Sequence, residues 1–146
     1  MVAVKGEIVI HRKPQEVFEF VANGENEPRF NSKMRVAKKI TDGPIGVGTS
    51  FRQEITGRRK IVPMTTQFTG FDRPRRLTEV SAWTGGTSTG ALTFEPADGS
   101  TLMRWSWDVQ PHGVPRFMGP VVAAMGHRQE RRIWTGLKRL LESEPG

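Results

Sequence analysis

The chain has 146 residues, of which 36% are hydrophobic and 25% charged, with a net charge of +7 and a sequence pI near 10.6. This composition excludes a disordered chain and predicts one globular domain over residues 1–146. With no cysteine, no apolar run near the roughly 20 residues of a membrane span and no signal-like start, we expect a cytoplasmic protein without disulfides or thiolate chemistry.

The first predicted elements are a strand and two short helices. Apolar residues alternate with polar ones over residues 2–11, which is typical of a half-buried strand. Pro14 then opens a helix at a position where its missing N–H costs nothing. That helix ends at Asn23-Gly24, because both residues tolerate the left-handed backbone of a helix end. A second short helix or turn follows over residues 25–30.

Short strands with turn residues between them occupy the middle of the chain. Gly-Pro, Asp-Gly and Gly-Gly pairs separate apolar stretches that recur about every ten residues, which indicates an antiparallel meander. We predict strands at residues 34–40, 48–56, 60–71, 77–83, 88–96 and 101–110.

A long amphipathic helix completes the pattern, ending near residue 143. At about 100° per residue, its apolar side chains form one stripe that we expect to face the sheet. Trp134 projects away from this stripe and is covered by a loop or contributes to a homodimer surface. The predicted stripe is Met118, Val122, Met125, Gln129, Ile133, Leu137 and Leu140.

The order of elements predicts an α+β fold. In this fold a curved, seven-stranded antiparallel sheet surrounds the long C-terminal helix, with two short helices after the first strand. A single helix covers only part of such a sheet, so we expect a gap between the helix and the sheet that side chains do not fill.

Several segments carry a family resemblance. Residues 8–18 (Ile-Val-Ile-His-Arg-Lys-Pro-Gln-Glu-Val-Phe) resemble the opening of the START-like or Bet v 1-like (SRPBCC) superfamily, and in particular its polyketide cyclase/dehydrase and lipid-transport branch. The resemblance implies a helix-grip fold with a cavity. It implies no single reaction, because members include lipid or hormone carriers, aromatase/cyclases and co-chaperones. Further matching pieces are residues 71–77, 94–96, 99–101, 109–113 and 137–142.

Apolar and methionine side chains on the inward faces are the candidate ligand contacts. Gln53, Thr66 and Gln129 interrupt these faces, and a buried amide without a hydrogen bond costs about 1–3 kcal/mol. These polar groups therefore pair with one another or orient a ligand, and the alternative for the apolar ones is plain core packing. The candidate set is Phe30, Phe51, Gln53, Met64, Thr66, Phe68, Met103, Trp105, Trp107, Met118, Val122, Met125 and Gln129.

No motif in the sequence assigns a catalytic residue. Nucleophile-elbow, phosphate-loop and dinucleotide fingerprints do not occur, and the histidines lack metal-ligand spacing, so we expect neither a metal nor a cofactor. His112 and Gln129 are weak candidates for proton transfer, and Gln53 and Arg116 are two further weak candidates.

Three functions are consistent with these features. The first is a carrier or sensor that binds a hydrophobic small molecule (a lipid, a polyketide or an aromatic metabolite). It predicts a cavity of a few hundred Å³ that contains no perturbed acid or base. The second is an enzyme of the polyketide cyclase/dehydrase type. The third is a co-chaperone-like or anionic-surface interaction module, which only the positive charge supports. We interpret the scattered basic groups as a solvated surface and expect no specific nucleic acid.

Overall fold

The computed structural model describes residues 1–144, so the last part of the predicted domain, residues 145–146, lies outside the described residues. Seven strands form one antiparallel sheet in the order β1-β7-β6-β5-β4-β3-β2. The strands are β1 (Val2–Ile10), β2 (Met34–Lys39), β3 (Ser50–Thr56), β4 (Ile61–Asp72), β5 (Arg76–Trp83), β6 (Gly86–Ala97) and β7 (Ser100–Pro111). The helices are α1 (Pro14–Ala22), a first 3₁₀ helix (Gly24–Arg29), a second 3₁₀ helix (Arg116–Met118) and α2 (Gly119–Ser143).

The predicted helix-grip fold is confirmed, including the curved sheet and the long C-terminal helix. Register shifts between Phe68 and Gly70 in β4, and between Met34 and Val36 in β2, mark bulges. Because a bulge bends its strand, these two irregularities favour the curvature of the sheet. The second 3₁₀ helix was not predicted. Within residues 1–144, no helix combines the length and the apolar character that crossing a bilayer requires.

The core fills the concave side of the sheet beneath α1. Val17 and Phe18 of α1 are fully buried. The Phe18 ring contacts Phe71 and Phe94 edge to face, with centroids 5.3 Å apart in both pairs. Burying a phenylalanine contributes roughly 1.5–3 kcal/mol, and edge-to-face pairs add to it. These contacts fix α1 across β4 and β6.

The rotation of α2 differs from the predicted one along its first half. Gly126 faces β1, where an added Cβ would lie 2.8 Å from a methyl carbon of Val4. Because this close approach requires a glycine on the inward face, the residue before it points outward and Met125 is 68% exposed. Gln129 is exposed as well and Trp134 is buried. The predicted inward positions of Met125 and Gln129, and the outward position of Trp134, are therefore wrong.

Candidate functional site

A small cavity lies between the sheet, the first 3₁₀ helix and α2. Its volume is about 30 Å³, room for about one water molecule. The predicted cavity of a few hundred Å³ is therefore wrong for this structure. Aromatic side chains occupy the space instead: the rings of Phe51 and Phe68 lie 5.7 Å apart, centroid to centroid, beside Trp134. The wall consists of Val21, Gly24, Glu27, Phe51, Gln53, Thr66, Phe68, Leu77, Glu79, Leu92 and Trp134.

A polar network crosses three strands at this wall. Thr66 Oγ1 on β4 donates to Gln53 Oε1 on β3 at 2.8 Å, and lies 2.7 Å from Ser81 Oγ on β5. Gln53 is only 3% exposed. The predicted pairing of inward polar groups is thus found for Gln53 and Thr66. The Gln53 amide nitrogen donates no hydrogen bond within residues 1–144, which leaves one donor at the cavity wall.

Two half-buried carboxylates face the cavity from opposite sides, Glu27 on the first 3₁₀ helix and Glu79 on β5. Burial raises the pKa of Glu27 to about 7, although a hydrogen bond from Asn31 Nδ2, 3.0 Å long, opposes the shift. Burial also raises the pKa of Glu79 to about 8, and the negative charges of Glu27 and Glu130 add to the increase. Glu79 accepts no hydrogen bond within residues 1–144 from a side chain or a backbone group outside its own strand ladder.

A third half-buried carboxylate, Glu130, comes from α2. Burial raises its pKa, whereas hydrogen bonds from the Trp107 and Trp134 indole N–H groups and the positive charge of Arg132 lower it. The N–H of Trp134, one turn later on α2, donates at 3.2 Å. Both indoles therefore serve to hold one carboxylate, which explains why two tryptophans point into the same region.

Together these carboxylates form the buried acid cluster, which we define as Glu27, Glu79 and Glu130. No lysine or arginine forms an ion pair with any member among residues 1–144. The described residues also contain no group of three His, Asp or Glu side chains placed to hold a metal ion, so the cluster does not converge on one point. The carrier hypothesis predicts an interior without a perturbed acid or base, and that prediction is therefore wrong. A carboxyl with a pKa near neutrality can give or take a proton at physiological pH.

The predicted ligand contacts divide into four groups. Phe51, Gln53, Thr66 and Phe68 line the cavity. Phe30, Met103, Trp105 and Trp107 are buried elsewhere in the core, and Met64, Met118 and Val122 are half-buried away from the cavity wall. Met125 and Gln129 are exposed on the outer side of α2.

Three of the four weak candidates for proton transfer do not reach the cavity. His112 and Arg116 are exposed in the segment after β7, and Gln129 is exposed on α2. Only Gln53 stands at the cavity wall, and a neutral amide is neither an acid nor a base near pH 7. Of the residues considered from the sequence, none supplies the acid or base that the structure reveals.

Sequence reasoning missed the whole buried acid cluster. A glutamate within an apolar pattern is normally a solvated residue, so the pattern does not predict Glu130 as a site residue. Its signal was the spacing Val122, Gly126, Glu130 and Trp134, a regular four-residue repeat that also accounts for the tryptophan. Glu79 lies two residues after Leu77 on β5, so the alternation of the strand places both on its inward face. Glu27 lies in a short 3₁₀ helix, where no periodic pattern indicates which residues point inward.

Known proteins resemble this chain in sequence profile and in fold. The profile of the family described as polyketide cyclase / dehydrase and lipid transport matches residues 1–142. A START superfamily protein from Mycobacterium smegmatis superimposes with a TM-score of 0.83 at 15% identity, covering 97% of both chains. The Zhui aromatase/cyclase from Streptomyces sp. R1128 gives a TM-score of 0.80 at 11% identity, covering 96% of this chain and 93% of that one.

A third structure, a protein from Thermus thermophilus, has a TM-score of 0.81 and 17% identity, and the match covers 98% of this chain and 99% of the other. No curated protein matches the sequence. At these identities the solved structures show the shared fold alone. The sequence profile shows the family.

Proposed function

Because the chain belongs to the polyketide cyclase / dehydrase and lipid transport family, we propose that it binds a hydrophobic small molecule between the sheet and α2. The observation that carries this proposal is an interior wall combining aromatic rings with carboxylates that no cation neutralises. Burying an unpaired ionisable group is costly, and a group held at such cost fits a role in binding. The cytoplasmic location of the chain and its assembly into a homodimer remain predictions.

The polar half of the wall indicates what the ligand carries. Glu79 and the Gln53 amide nitrogen both lack a partner across the cavity. A ligand with an apolar body that bears hydroxyl and carbonyl groups would satisfy both, the hydroxyl donating to Glu79 and the carbonyl accepting from Gln53. A polyketide or a hydroxylated aromatic metabolite has this chemistry, and a plain hydrocarbon does not.

The cavity must enlarge before such a molecule fits. Drug-sized ligands occupy pockets of roughly 300–1,000 Å³, whereas the volume here is about 30 Å³. The first half of α2 contacts the sheet through Gly126 and β1, with its other faces exposed. Movement of this half of α2 away from β1, with rotation of Trp134, is the opening that we propose.

Native mass spectrometry of the freshly purified chain, followed by titration with naringenin as a hydroxylated aromatic probe, tests binding. We expect one bound molecule per chain. At about pH 9, where Glu79 is ionised, Glu79→Gln should lose about tenfold in affinity, since one charge-assisted hydrogen bond is lost. Glu95→Gln, on the exposed face of β6, is the matched control and should bind like the parent. If neither the parent chain nor Glu95→Gln carries a captured ligand or binds the added probe, the proposal is refuted.

The buried acid cluster favours a second function, acid–base catalysis of the cyclase/dehydrase type. Near pH 7, a carboxyl with a pKa of about 7 is partly ionised and one with a pKa of about 8 is mostly protonated. Glu27 could then remove a proton from the carbon between two carbonyls while Glu79 protonates the attacked carbonyl oxygen. Holding the flexible chain in a reactive fold would supply the rest of the acceleration.

A β-diketone that closes by intramolecular aldol condensation tests this second function. We expect a bell-shaped dependence of kcat/KM on pH, with Glu27→Gln removing its acidic limb and Glu79→Gln its basic limb. Ligand binding without turnover in the parent chain would leave the protein as a carrier. Turnover that survives both substitutions would remove these residues as the acid and the base.

A further inference from the structure

The antiparallel register brings three connections to one end of the sheet. They are the β3–β4 turn (residues 57–60), the β5–β6 turn (residues 84–85) and the segment after β7 (residues 112–118). The backbone N–H of His112 donates to the Gly85 carbonyl at 2.8 Å, which ties two of these connections to each other. We call residues 57–60, 84–85 and 112–118 the loop end.

The loop end carries positive charge without negative charge. Arg58, Arg59, Lys60 and Arg116 are exposed, and none of them forms an ion pair with a carboxylate among residues 1–144. Its three connections contain no aspartate or glutamate. The β4–β5 turn at the opposite end of the sheet is also basic, but its arginines are paired with acids, Arg73 with Glu19 and Arg75 with Asp72.

An exposed apolar stripe continues from the loop end onto α2. Phe117 is 78% exposed, Val121 47% and Met125 68%. Gly119 has helical dihedral angles, so the second 3₁₀ helix runs directly into α2 and residues four apart share a face. Val114, 40% exposed, lies beside this stripe in sequence. A contiguous apolar surface of this kind marks a contact site, unlike scattered single residues.

We propose that the loop end and this stripe dock on an anionic lipid bilayer surface. Phe117, Val121 and Met125 enter the boundary between head groups and acyl chains, as the apolar face of an interfacial helix does. Arg58 and Arg116, with their basic neighbours, contact the lipid phosphates, because arginine matches phosphate in charge and geometry. The complementarity of charge between this acid-free end and an anionic surface selects the occupant.

Two other occupants fit less well. A second copy of the chain would bring two uncompensated groups of cations together, since neither copy offers a carboxylate at the loop end. A nucleic acid would find the cations, but Phe117 is the only phenylalanine, tyrosine or tryptophan in the three connections, and Trp105 and Trp107 are buried. Stacking of successive bases needs a series of exposed rings.

Flotation of the full chain with extruded vesicles tests the proposal. We expect binding to vesicles of phosphatidylcholine and phosphatidylglycerol in equal parts, weakening with added salt, and no binding to phosphatidylcholine alone. Arg58→Gln with Arg116→Gln should lower the apparent affinity by about 10- to 30-fold, since each arginine near the surface contributes about fivefold. Lys38→Gln with Arg139→Gln removes the same charge away from the loop end and should lower it by less than about threefold.

A fluorescent label reports the depth of contact. Because the chain contains no cysteine, Phe117→Cys offers a single site for an environment-sensitive dye. We expect a blue shift of its emission with the anionic vesicles and none for the same dye on Lys38→Cys. Circular dichroism and thermal unfolding of both variants confirm that the exposed substitutions leave the fold intact.

Each remaining outcome overturns the proposal. Equal flotation with both vesicle types, or flotation that the arginine pair does not change, removes the electrostatic contact. A Phe117→Ser variant that floats like the parent removes the apolar contact. A dimer that Phe117→Ser dissociates, without flotation, makes the stripe a contact between copies, and binding to single-stranded RNA without flotation makes the loop end a nucleic-acid surface.

Discussion

Replacing Glu79 with glutamine should change how the stability of the protein depends on pH. Glu79 has a pKa of about 8 in the folded chain, against an ordinary value of 4.5. The folded state therefore holds this proton more tightly than the unfolded state, and the free energy of unfolding falls as pH rises between these two values. Glu79→Gln removes the titration, so this part of the fall should disappear.

The difference between the folded and the ordinary pKa of Glu79 sets the size of the change in the free energy of unfolding. At roughly 1.4 kcal/mol per pH unit, a rise from 4.5 to about 8 corresponds to roughly 5 kcal/mol. That value is a ceiling, because water can enter the cavity and Glu27 titrates in the same range, so we expect at least about 2 kcal/mol. Against a total stability of about 5–15 kcal/mol, the effect is large.

Urea unfolding of the parent and of Glu79→Gln at several pH values measures this pH dependence of the free energy of unfolding. The two chains should have similar stability near about pH 5, and the variant should be the more stable one near about pH 9. Glu95→Gln, exposed on β6, should follow the parent throughout. If the difference between parent and variant changes by less than about 1 kcal/mol over this range, our account of the buried acid cluster is incorrect.

Two further substitutions test the packing around the site. Trp107→Phe removes an N–H donor to Glu130, and should destabilise the fold by about 1–3 kcal/mol while raising the pKa of Glu130, as urea unfolding and carboxyl NMR would show. Gly136→Ala should destabilise by more than about 1 kcal/mol, because the new Cβ would lie 2.3 Å from the Phe30 carbonyl oxygen, a backbone atom that cannot move aside. Gly119→Ala meets nothing within 4 Å, and thermal unfolding should show no loss of stability there.

The order of the elements could be predicted from sequence because local chemistry determines it. Pro14 starts α1, and Ala97-Asp98-Gly99 marks the turn between β6 and β7. Residues 103, 105 and 107 alternate with polar ones along β7. Each of these signals depends on neighbours within a few positions. The strand boundaries therefore agree with the structure to within about two residues.

The rotation of α2 and the contents of the cavity could not be predicted in the same way. Two apolar stripes, one through Met125 and the other through Gly126, fit the first half of α2, and contact with Val4 decides between them. The volume of the cavity depends on how the Phe51 and Trp134 rings fill the space. Such packing joins residues far apart in the chain, and a periodic pattern carries no information about it.

A carbon-13 NMR titration of the glutamate carboxyl groups tests the central claim most directly. On the full chain, we expect one glutamate resonance to titrate near about 7 and another near about 8, the second absent in Glu79→Gln. If every glutamate titrates near the ordinary value of 4.5, the interior holds no perturbed acid, and the ligand site argued from it loses its support.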